Sequence, residues 1–96
     1  MIVGVAIADL HLPHARSLKQ KRKVVRGLVD RIHARLRVSV AEVAHHDKHQ
    51  RSEIAIATVA QNDTEAQRML DAIRALFDDE LEAVVSRWEP ELLEFR

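Results

Sequence analysis

Apolar periodicity predicts an α+β fold in which two helices cover one face of a four-stranded antiparallel sheet. Six segments alternate in the order strand, helix, strand, strand, helix, strand, and no repeat or low-complexity stretch interrupts them. Right-handed crossovers leave the split βαβ, ferredoxin-like arrangement with strand order 4-1-3-2 as the expected topology. The chain, residues 1–96, is then a single domain.

The first two elements are a buried strand and an amphipathic helix. The run from Ile2 to Leu12 is apolar on both alternating sets, as in a central strand covered on two faces. Ser17 is a good N-cap for the helix that follows. Its apolar positions fall within an arc of about 100°, the width expected of a helix that lies on a sheet. They are Leu18, Val25, Leu28, Val29, Ile32 and Leu36.

The remaining elements follow the same logic. Two strand-like runs, 38–44 and 53–60, flank the polar segment 45–52 and predict a hairpin with a long loop. Asn62 or Asp63 caps a second helix. The last strand covers 82–89, and Pro90 stops or bends it, which favours a position at the sheet edge. The second helix turns one apolar face to the sheet, formed by Ala66, Met69, Leu70, Ile73, Leu76 and Phe77.

The alternating sets of the strands differ in size, which predicts the two faces of the sheet. One set is bulky and is expected beneath the helices: Val3, Val5, Ile7, Ile54, Ile56, Val38 and Val40. The other set is small and is expected on an open face, together with a few larger residues: Ala6, Ala8, Ala41, Ala55, Ala57, Leu10, Val43 and Val59. A flat apolar face of this kind predicts a homodimer through the open sheet face.

Composition excludes several classes of protein. The chain is 47% hydrophobic and 31% charged, which is typical of a globular domain. It has no cysteine, so disulfides, zinc thiolate sites and thiol catalysis are excluded. The apolar run at residues 2–8 is too short to span a bilayer and has no export-signal features. We therefore expect a cytoplasmic protein that does not engage a membrane.

Positive and negative charges are segregated along the chain. Residues 1–62 hold 11 Lys and Arg against 5 Asp and Glu, whereas residues 63–96 hold 4 against 10. The start of the first helix, "SLKQKRKVVRGL", carries five cations, and the end of the second helix carries three acids. In the predicted fold these two helix ends share one end of the sheet, where both charge clusters oppose the helix macrodipoles.

Two interpretations of the basic helix start remain open. In the first, Lys19, Lys21, Arg22 and Lys23 neutralise the acids Asp78, Asp79 and Glu80. In the second, cations on one flank of the helix bind an external phosphate backbone, helped by neighbouring loops. The candidate nucleic-acid-binding residues are Arg16, Lys19, Arg22, Lys23, Arg26 and Arg51, with Lys48 nearby. Lys21 projects into the apolar arc, so we expect a structural role instead, in which its side chain either extends past the end of the sheet or pairs with Glu42 or Asp47.

Five of the six histidines fall at the same end of the predicted fold: His11, His14, His45, His46 and His49. Their spacing lacks the helix-enforced geometry of known metal motifs, so we predict no metal site and no cofactor. No nucleotide-binding or nucleophile motif occurs, and the paired carboxylates lie in solvated segments that offer no acid catalyst. We therefore expect no enzymatic activity. The central strands also lack aromatic residues on which RNA bases could stack.

Three segments carry a family resemblance. Ser17-Leu-Lys-x-Lys-Arg22, Val38-Ser-Val-Ala-Glu42 and Asp47-x-x-Gln-Arg51, in this order and spacing, resemble the small bacterial YlxP-like proteins, a family without established biochemical function. The resemblance implies a ferredoxin-like fold. Genes of the family often lie near those of translation initiation and ribosome maturation factors, which implies a role around RNA or the ribosome. His49 stands where the family pattern leads us to expect tryptophan.

Two functional hypotheses follow. The first is a non-enzymatic factor associated with RNA or the ribosome that binds phosphates through its basic helix. The second is a homo-oligomeric protein-interaction module without nucleic-acid binding. The direction of the cations on the first helix separates them, because cations that face the second helix favour the module and unpaired, outward cations favour the RNA factor.

Overall fold

A computed structural model describes residues 1–96. The elements in chain order are β1 (Ile2–His11), α1 (Leu18–Arg35), β2 (Ser39–Ala44), β3 (Arg51–Ala60), α2 (Asp63–Asp78) and β4 (Val84–Glu94). The strands form one antiparallel sheet of order β2-β3-β1-β4, which is the predicted 4-1-3-2 order read from the other edge. The predicted fold class is confirmed. Both helices pack on one face of the sheet, and the other face is open.

Both helices begin with side-chain caps of the same design. The Ser17 hydroxyl accepts a hydrogen bond from the Gln20 amide at 3.1 Å, and Gln20 Oε1 in turn accepts one from the Arg16 amide at 2.6 Å. Asn62 caps α2 in the same way by accepting from the Glu65 amide at 2.9 Å. These contacts satisfy backbone donors that the first helical turn leaves without partners. Neither helix is long and apolar enough to cross a membrane.

The predicted assignment of the sheet faces is wrong for β1. Ala6 and Ala8 are almost fully buried beneath the helices, and so is Leu10, which we expected on the open face. Val3, Val5 and Ile7 lie on the open face instead. The prediction holds for β3 and β2, where Ile54, Ile56 and Val40 face the helices. The alanines expected on the open face, Ala41, Ala55 and Ala57, face outward.

Cross-strand pairing explains why small and bulky residues share each face. Ala6 lies directly opposite Ile56, and Ala8 lies opposite Ile54, so each small residue leaves room for a large neighbour. Gly4 has close neighbours on both β3 and α2, because an added Cβ would lie 3.3 Å from Thr58 Cγ2 of β3 and 3.5 Å from Leu70 Cδ1 of α2. The small residues of β1 therefore let α2 pack closely against the centre of the sheet.

The last strand is longer than the sequence indicates. β4 runs through Pro90 to Glu94, whereas we expected it to end at Glu89. Pro90 lies opposite Ala6 on β1, within a regular register. Because β4 is an edge strand, one side of its backbone has no neighbour, and a proline without an N–H is tolerated there.

Candidate nucleic-acid interface

Three loops and one helix start meet at one end of the sheet, which we call the top end. The loops cover residues 12–17, 45–50 and 79–83, and α1 begins beside them at Leu18. Gln50 joins two of the loops, since its backbone carbonyl accepts from the Leu12 amide at 2.9 Å. Its side-chain amide also lies 3.4 Å from the carbonyls of Pro13 and Ala15. The loops 12–17 and 45–50 are therefore held in fixed relation to one another.

Four cations form a row along α1, which we call the basic stripe. It consists of Lys19, Arg22, Lys23 and Arg26. Spacings of three and four residues place all four on one flank of the helix, where they line a shallow groove together with Gly27 and Asp30. All four side chains are exposed, and none forms an ion pair. The predicted one-flank arrangement of these residues is present, and their charges face outward.

The acids at the end of α2 have other partners. Glu80 pairs with Arg31 of α1 at 3.3 Å, and Asp78 pairs with Arg74 one turn earlier in its own helix at 3.0 Å. Neither of them pairs with the basic stripe, and Asp79 forms no ion pair. The interpretation that the start of α1 neutralises these acids is therefore wrong, because the contact between the helices runs through Arg31, three turns into α1.

Lys21 behaves differently from its neighbours, as its position in the apolar arc predicts. It is fully buried, and its Nζ lies 3.1 Å from Glu42 Oε2. The same ammonium donates to the carbonyls of His45 at 2.6 Å and Arg51 at 3.3 Å. Three acceptors thus match the three protons of the ammonium group. The predicted pair with Glu42 is confirmed, and Lys21 holds the β2–β3 loop rather than facing a ligand.

Glu42 and His45 complete this buried cluster. Glu42 Oε2 also accepts a hydrogen bond from the Ser52 hydroxyl at 2.5 Å, so one carboxylate oxygen serves two donors. The β2–β3 register shifts between Glu42 and Ala44, and His45 then adopts φ of 64°, the chain's single non-glycine residue in the left-handed region. This turn directs the His45 carbonyl toward Lys21. The cluster therefore fixes both the loop and the first turns of α1.

The other two candidate residues lie on different sides of the basic stripe. Arg16 is exposed in the loop directly before the N-cap Ser17, so it extends the stripe past the start of the helix. Arg51 is exposed at the first position of β3, opposite His11. Because the next residue, Ser52, is buried under the helices, the side chain of Arg51 leaves from the opposite, open face of the sheet. The structure thus places Arg16 beside the stripe and Arg51 apart from it.

The histidines at the top end are dispersed. His11 Nδ1 lies 3.2 Å from the Gln50 carbonyl, and His46 Nε2 lies 3.1 Å from the Glu42 carbonyl. No three histidine or acidic side chains come together in an arrangement that could hold a metal ion. The ring nitrogens with identified partners serve backbone hydrogen bonds of the loops.

The open face of the sheet has an apolar floor and a charged corner. Val59 is 64% exposed and Leu93 is 36% exposed on the rows that also contain Val3. At the corner nearest the top end, Arg87 pairs with three carboxylates: Asp9 at 2.8 Å, Glu53 at 3.1 Å and Glu89 at 3.1 Å. This cluster was not predicted from the sequence. Opposite charges at facing positions on β1 and β4 would have revealed it, had the register been known.

The aromatic residues are away from the basic stripe. Trp88 of β4 packs edge-on against Phe77 of α2, with ring centroids 6.2 Å apart, and the Arg74 guanidinium lies 5.7 Å from the Trp88 ring. Phe95 follows the end of β4. The packing role expected for Trp88 agrees with these contacts. Any nucleic acid at the stripe would meet cations and helix backbone without an aromatic stacking partner.

Comparisons with known proteins agree with the resemblance seen in the sequence. A family described as "Protein of unknown function (DUF503)" matches residues 3–89. The "Uncharacterized protein YlxP" of Bacillus subtilis (strain 168) is 29% identical over 90 residues, which cover 92% of this chain and 98% of that protein.

Two solved structures share the fold. A de novo designed protein with a ferredoxin fold has a TM-score of 0.51 at 12% identity, over 99% of this chain and 87% of the other. A dimeric ferredoxin-like protein from an uncultured marine organism has a TM-score of 0.51 at 11% identity, over 100% of this chain and 99% of the other. These similarities confirm the ferredoxin-like architecture.

Proposed function

We propose that this chain, which belongs to the DUF503 family of proteins of unknown function, is a non-enzymatic factor associated with RNA or the ribosome. Its basic stripe, extended by Arg16, binds the phosphate backbone. The observation that carries the proposal is the set of four exposed cations that have no carboxylate partner within the chain. A cytoplasmic location belongs to the same proposal, since RNA and ribosomes are found there.

The basic stripe lowers the stability of the isolated fold. Like charges repel at each helical spacing within the stripe: Lys19 with Arg22 and Lys23, and Arg26 with Arg22 and Lys23. Each such pair costs roughly 0.2–0.5 kcal/mol on an exposed helix. The first turn of α1 contains no acid that would offset the unfavourable placement of cations at a helix start. A bound polyanion would relieve both effects, so the arrangement favours an external partner over a purely structural role.

The proposed binding mode makes affinity depend on salt. Backbone contacts release condensed counterions, so the logarithm of the binding constant should fall linearly with the logarithm of the salt concentration. With ~4 phosphate contacts the slope is expected to be about −3 for single strands and about −4 for a duplex. Binding should depend little on base sequence, since phosphates carry no sequence information.

The test compares two triple variants that remove the same charge. The stripe variant carries Lys19→Gln, Lys23→Gln and Arg26→Gln. The control variant carries Arg35→Gln, Arg68→Gln and Arg96→Gln, three exposed and unpaired arginines outside the basic stripe. Binding to structured RNA and to ribosomal subunits is measured from roughly 50 to 200 mM salt. The stripe variant should lose most of the slope, and the control should keep it. If the wild type binds neither partner at the lowest salt, or if the stripe variant binds equally well, the proposal is wrong.

A second proposal is that two copies associate through their open sheet faces. It rests on the exposed apolar floor around Val59 and Leu93, bordered by the charged corner at Arg87, because an apolar centre with a polar rim is typical of interfaces. The dimeric state of the similar marine protein is compatible with this assembly. Self-association and RNA binding use opposite sides of the molecule, so one does not exclude the other.

Ala57→Glu tests the second proposal. Ala57 is exposed on the open face between Val5 and Ser39, so a glutamate there would be buried without a partner in the dimer. Sedimentation at micromolar concentrations should show a dimer for the wild type and a larger monomer fraction for the variant. Ala34→Glu, which adds the same charge on the exposed side of α1, should leave the dimer intact. A wild type that sediments as a monomer over the whole range would refute the interface.

A further inference from the structure

Gly27 is a helix-interior glycine that the packing of the chain does not require. Glycine at such a position destabilises the helix relative to alanine. A Cβ added at Gly27 would meet a single neighbour within 4 Å, the flexible Arg31 Nη1 at 3.9 Å. Gly4 shows the opposite situation, because its missing Cβ is explained by three side chains that crowd the site. The space over Gly27 is therefore open to the outside.

The surroundings of Gly27 carry a net positive charge, since five cations and three acids line the two grooves beside it. It lies one turn after Lys23 and directly after Arg26. It lines the groove of the basic stripe and also a second groove, on the side of α1 that faces the 79–83 loop and contains His14, Arg31 and Glu80. Lys23 and Gly27 are the two residues that line both grooves. The backbone of α1 is thus uncovered by a side chain at Gly27, where the groove of the basic stripe meets the second groove.

Such a surface suits an occupant whose backbone must approach the helix closely. Glycine is the residue that allows another backbone to come near. The occupant must be anionic, because Lys23 and Arg26 beside it have no partner. Single strands are usually held by stacking of bases on aromatic side chains, but α1 itself contains no aromatic residue and Phe77, which shares the core with α1, is buried. A duplex, whose bases are already stacked, needs no such platform.

We infer that an RNA duplex rests its sugar–phosphate backbone directly on α1 at Gly27, with Lys23 and Arg26 on neighbouring phosphates. This inference rests on the proposed RNA-binding function and adds the class of RNA and the point of closest approach. A-form duplexes present a wide, shallow minor groove with ribose hydroxyls at its surface. A helix can approach this surface closely at a position that has no side chain, such as Gly27. Gly27 then acts as a positioning residue.

Two substitutions at Gly27 separate this role from a structural one. Gly27→Ala should raise the melting temperature by about 4 °C, because the helix gains propensity, and should nevertheless weaken duplex binding. Gly27→Gln should weaken duplex binding about tenfold, since the longer side chain fills the space that the RNA backbone would occupy beside α1. A gain in stability together with a loss of affinity is not expected of a merely structural glycine. The control Ala34→Gln places the same side chain on the same helix face, two turns further along, and should bind as the wild type does.

The ligands are a 20-base-pair RNA duplex, a DNA duplex of the same sequence, and one RNA strand alone, each measured by fluorescence anisotropy. The RNA duplex should bind most tightly. If the single strand or the DNA duplex binds equally well, or if Gly27→Gln binds the RNA duplex as the wild type does, the inference is overturned. In those cases RNA binding that the stripe variant abolishes would still support the proposed function. Failure of the wild type to bind any RNA overturns both.

Discussion

Lys21 and Lys23 are two residues apart on α1, yet the structure uses them in opposite ways. Lys21 is fully buried and contacts three oxygen acceptors, whereas Lys23 is exposed and has no ion-pair partner. About 200° of helix rotation separates them, which turns one toward the sheet and the other toward solvent. A dense run of cations is therefore two sets of residues, and only the outward set is available to a ligand.

The same contrast between buried and exposed residues applies to the segments that carry the family resemblance. Ser17, Lys21 and Glu42 belong to the segments that carry it, and in the structure they form a helix cap and a buried ion pair. Gln50 connects the loops of the top end. These residues build the platform, whereas Lys19, Arg22, Lys23 and Arg26 lie on its surface. The fold of the top end and the proposed binding can therefore be disrupted independently.

The largest expected effect is the loss of the buried cation. Lys21→Met would leave the Glu42 carboxylate without its counter-ion and release the His45 carbonyl. Removal of one partner of a buried ion pair leaves an uncompensated charge, and we expect the free energy of unfolding to fall by about 3 kcal/mol. Urea denaturation measures this change.

The double variant Lys21→Met with Glu42→Gln is the control for this prediction. It removes both charges while the amide oxygen of residue 42 can still accept from Ser52, so it should recover a good part of the lost stability. A single variant that loses less than about 1 kcal/mol would show that the pair is not fully desolvated and would weaken the contrast between Lys21 and Lys23.

A smaller effect is expected at the turn that supplies an acceptor to Lys21. His45 has φ of 64°, a conformation that glycine adopts at no steric cost. His45→Gly keeps the carbonyl that Lys21 contacts and relieves the backbone strain, so we expect a gain of about 0.5 kcal/mol in the free energy of unfolding. Thermal denaturation checks it. A clear loss would mean that the imidazole itself supports the loop.

The smallest expected effect is at the exposed lysine. Lys23→Met is the counterpart of Lys21→Met on the outward side. It should leave the free energy of unfolding unchanged or raise it by a few tenths of a kcal/mol, because the side chain has no ion-pair partner to lose and its removal relieves repulsion from Lys19 and Arg26. The same urea titration measures it. A loss comparable to that of Lys21→Met would contradict the division of α1 into a structural and an outward set of cations.

The order of elements and the fate of Lys21 could be predicted because both depend on local periodicity. The helical arc places Lys21 among apolar residues without any knowledge of the sheet. The faces of β1 could not be predicted in the same way, since alternation shows that two faces exist and does not show which one meets the helices. That choice depends on how closely α2 approaches Ala6 and Ala8, which is a tertiary property.

The candidate site was predictable in its composition but only partly in its arrangement. The spacing of Lys19, Arg22, Lys23 and Arg26 predicts one flank of a helix, and they occupy one. Arg51 was predicted to join the basic stripe from a neighbouring loop, but it is the first residue of β3, and the pleat turns its side chain to the open face. The ion pair between Arg31 and Glu80 depends on the relative placement of two helices, which periodicity does not specify. Gly27 gave a signal, an isolated glycine within a helical pattern, whose meaning depends on what surrounds it.

The contacts of Lys21 also bear on the order of events in folding. Its two backbone acceptors, His45 and Arg51, are 24 and 30 residues away in sequence, so none of these hydrogen bonds can form until α1 has docked on the β2–β3 hairpin. Closure of such long segments costs entropy that only docked elements repay. The His45 turn should therefore take its native shape after the rate-limiting step, with a φ-value near zero for Lys21→Met. The buried lysine then mainly lowers the unfolding rate. Its loss should therefore shorten the lifetime of the native state and leave the folding rate nearly unchanged.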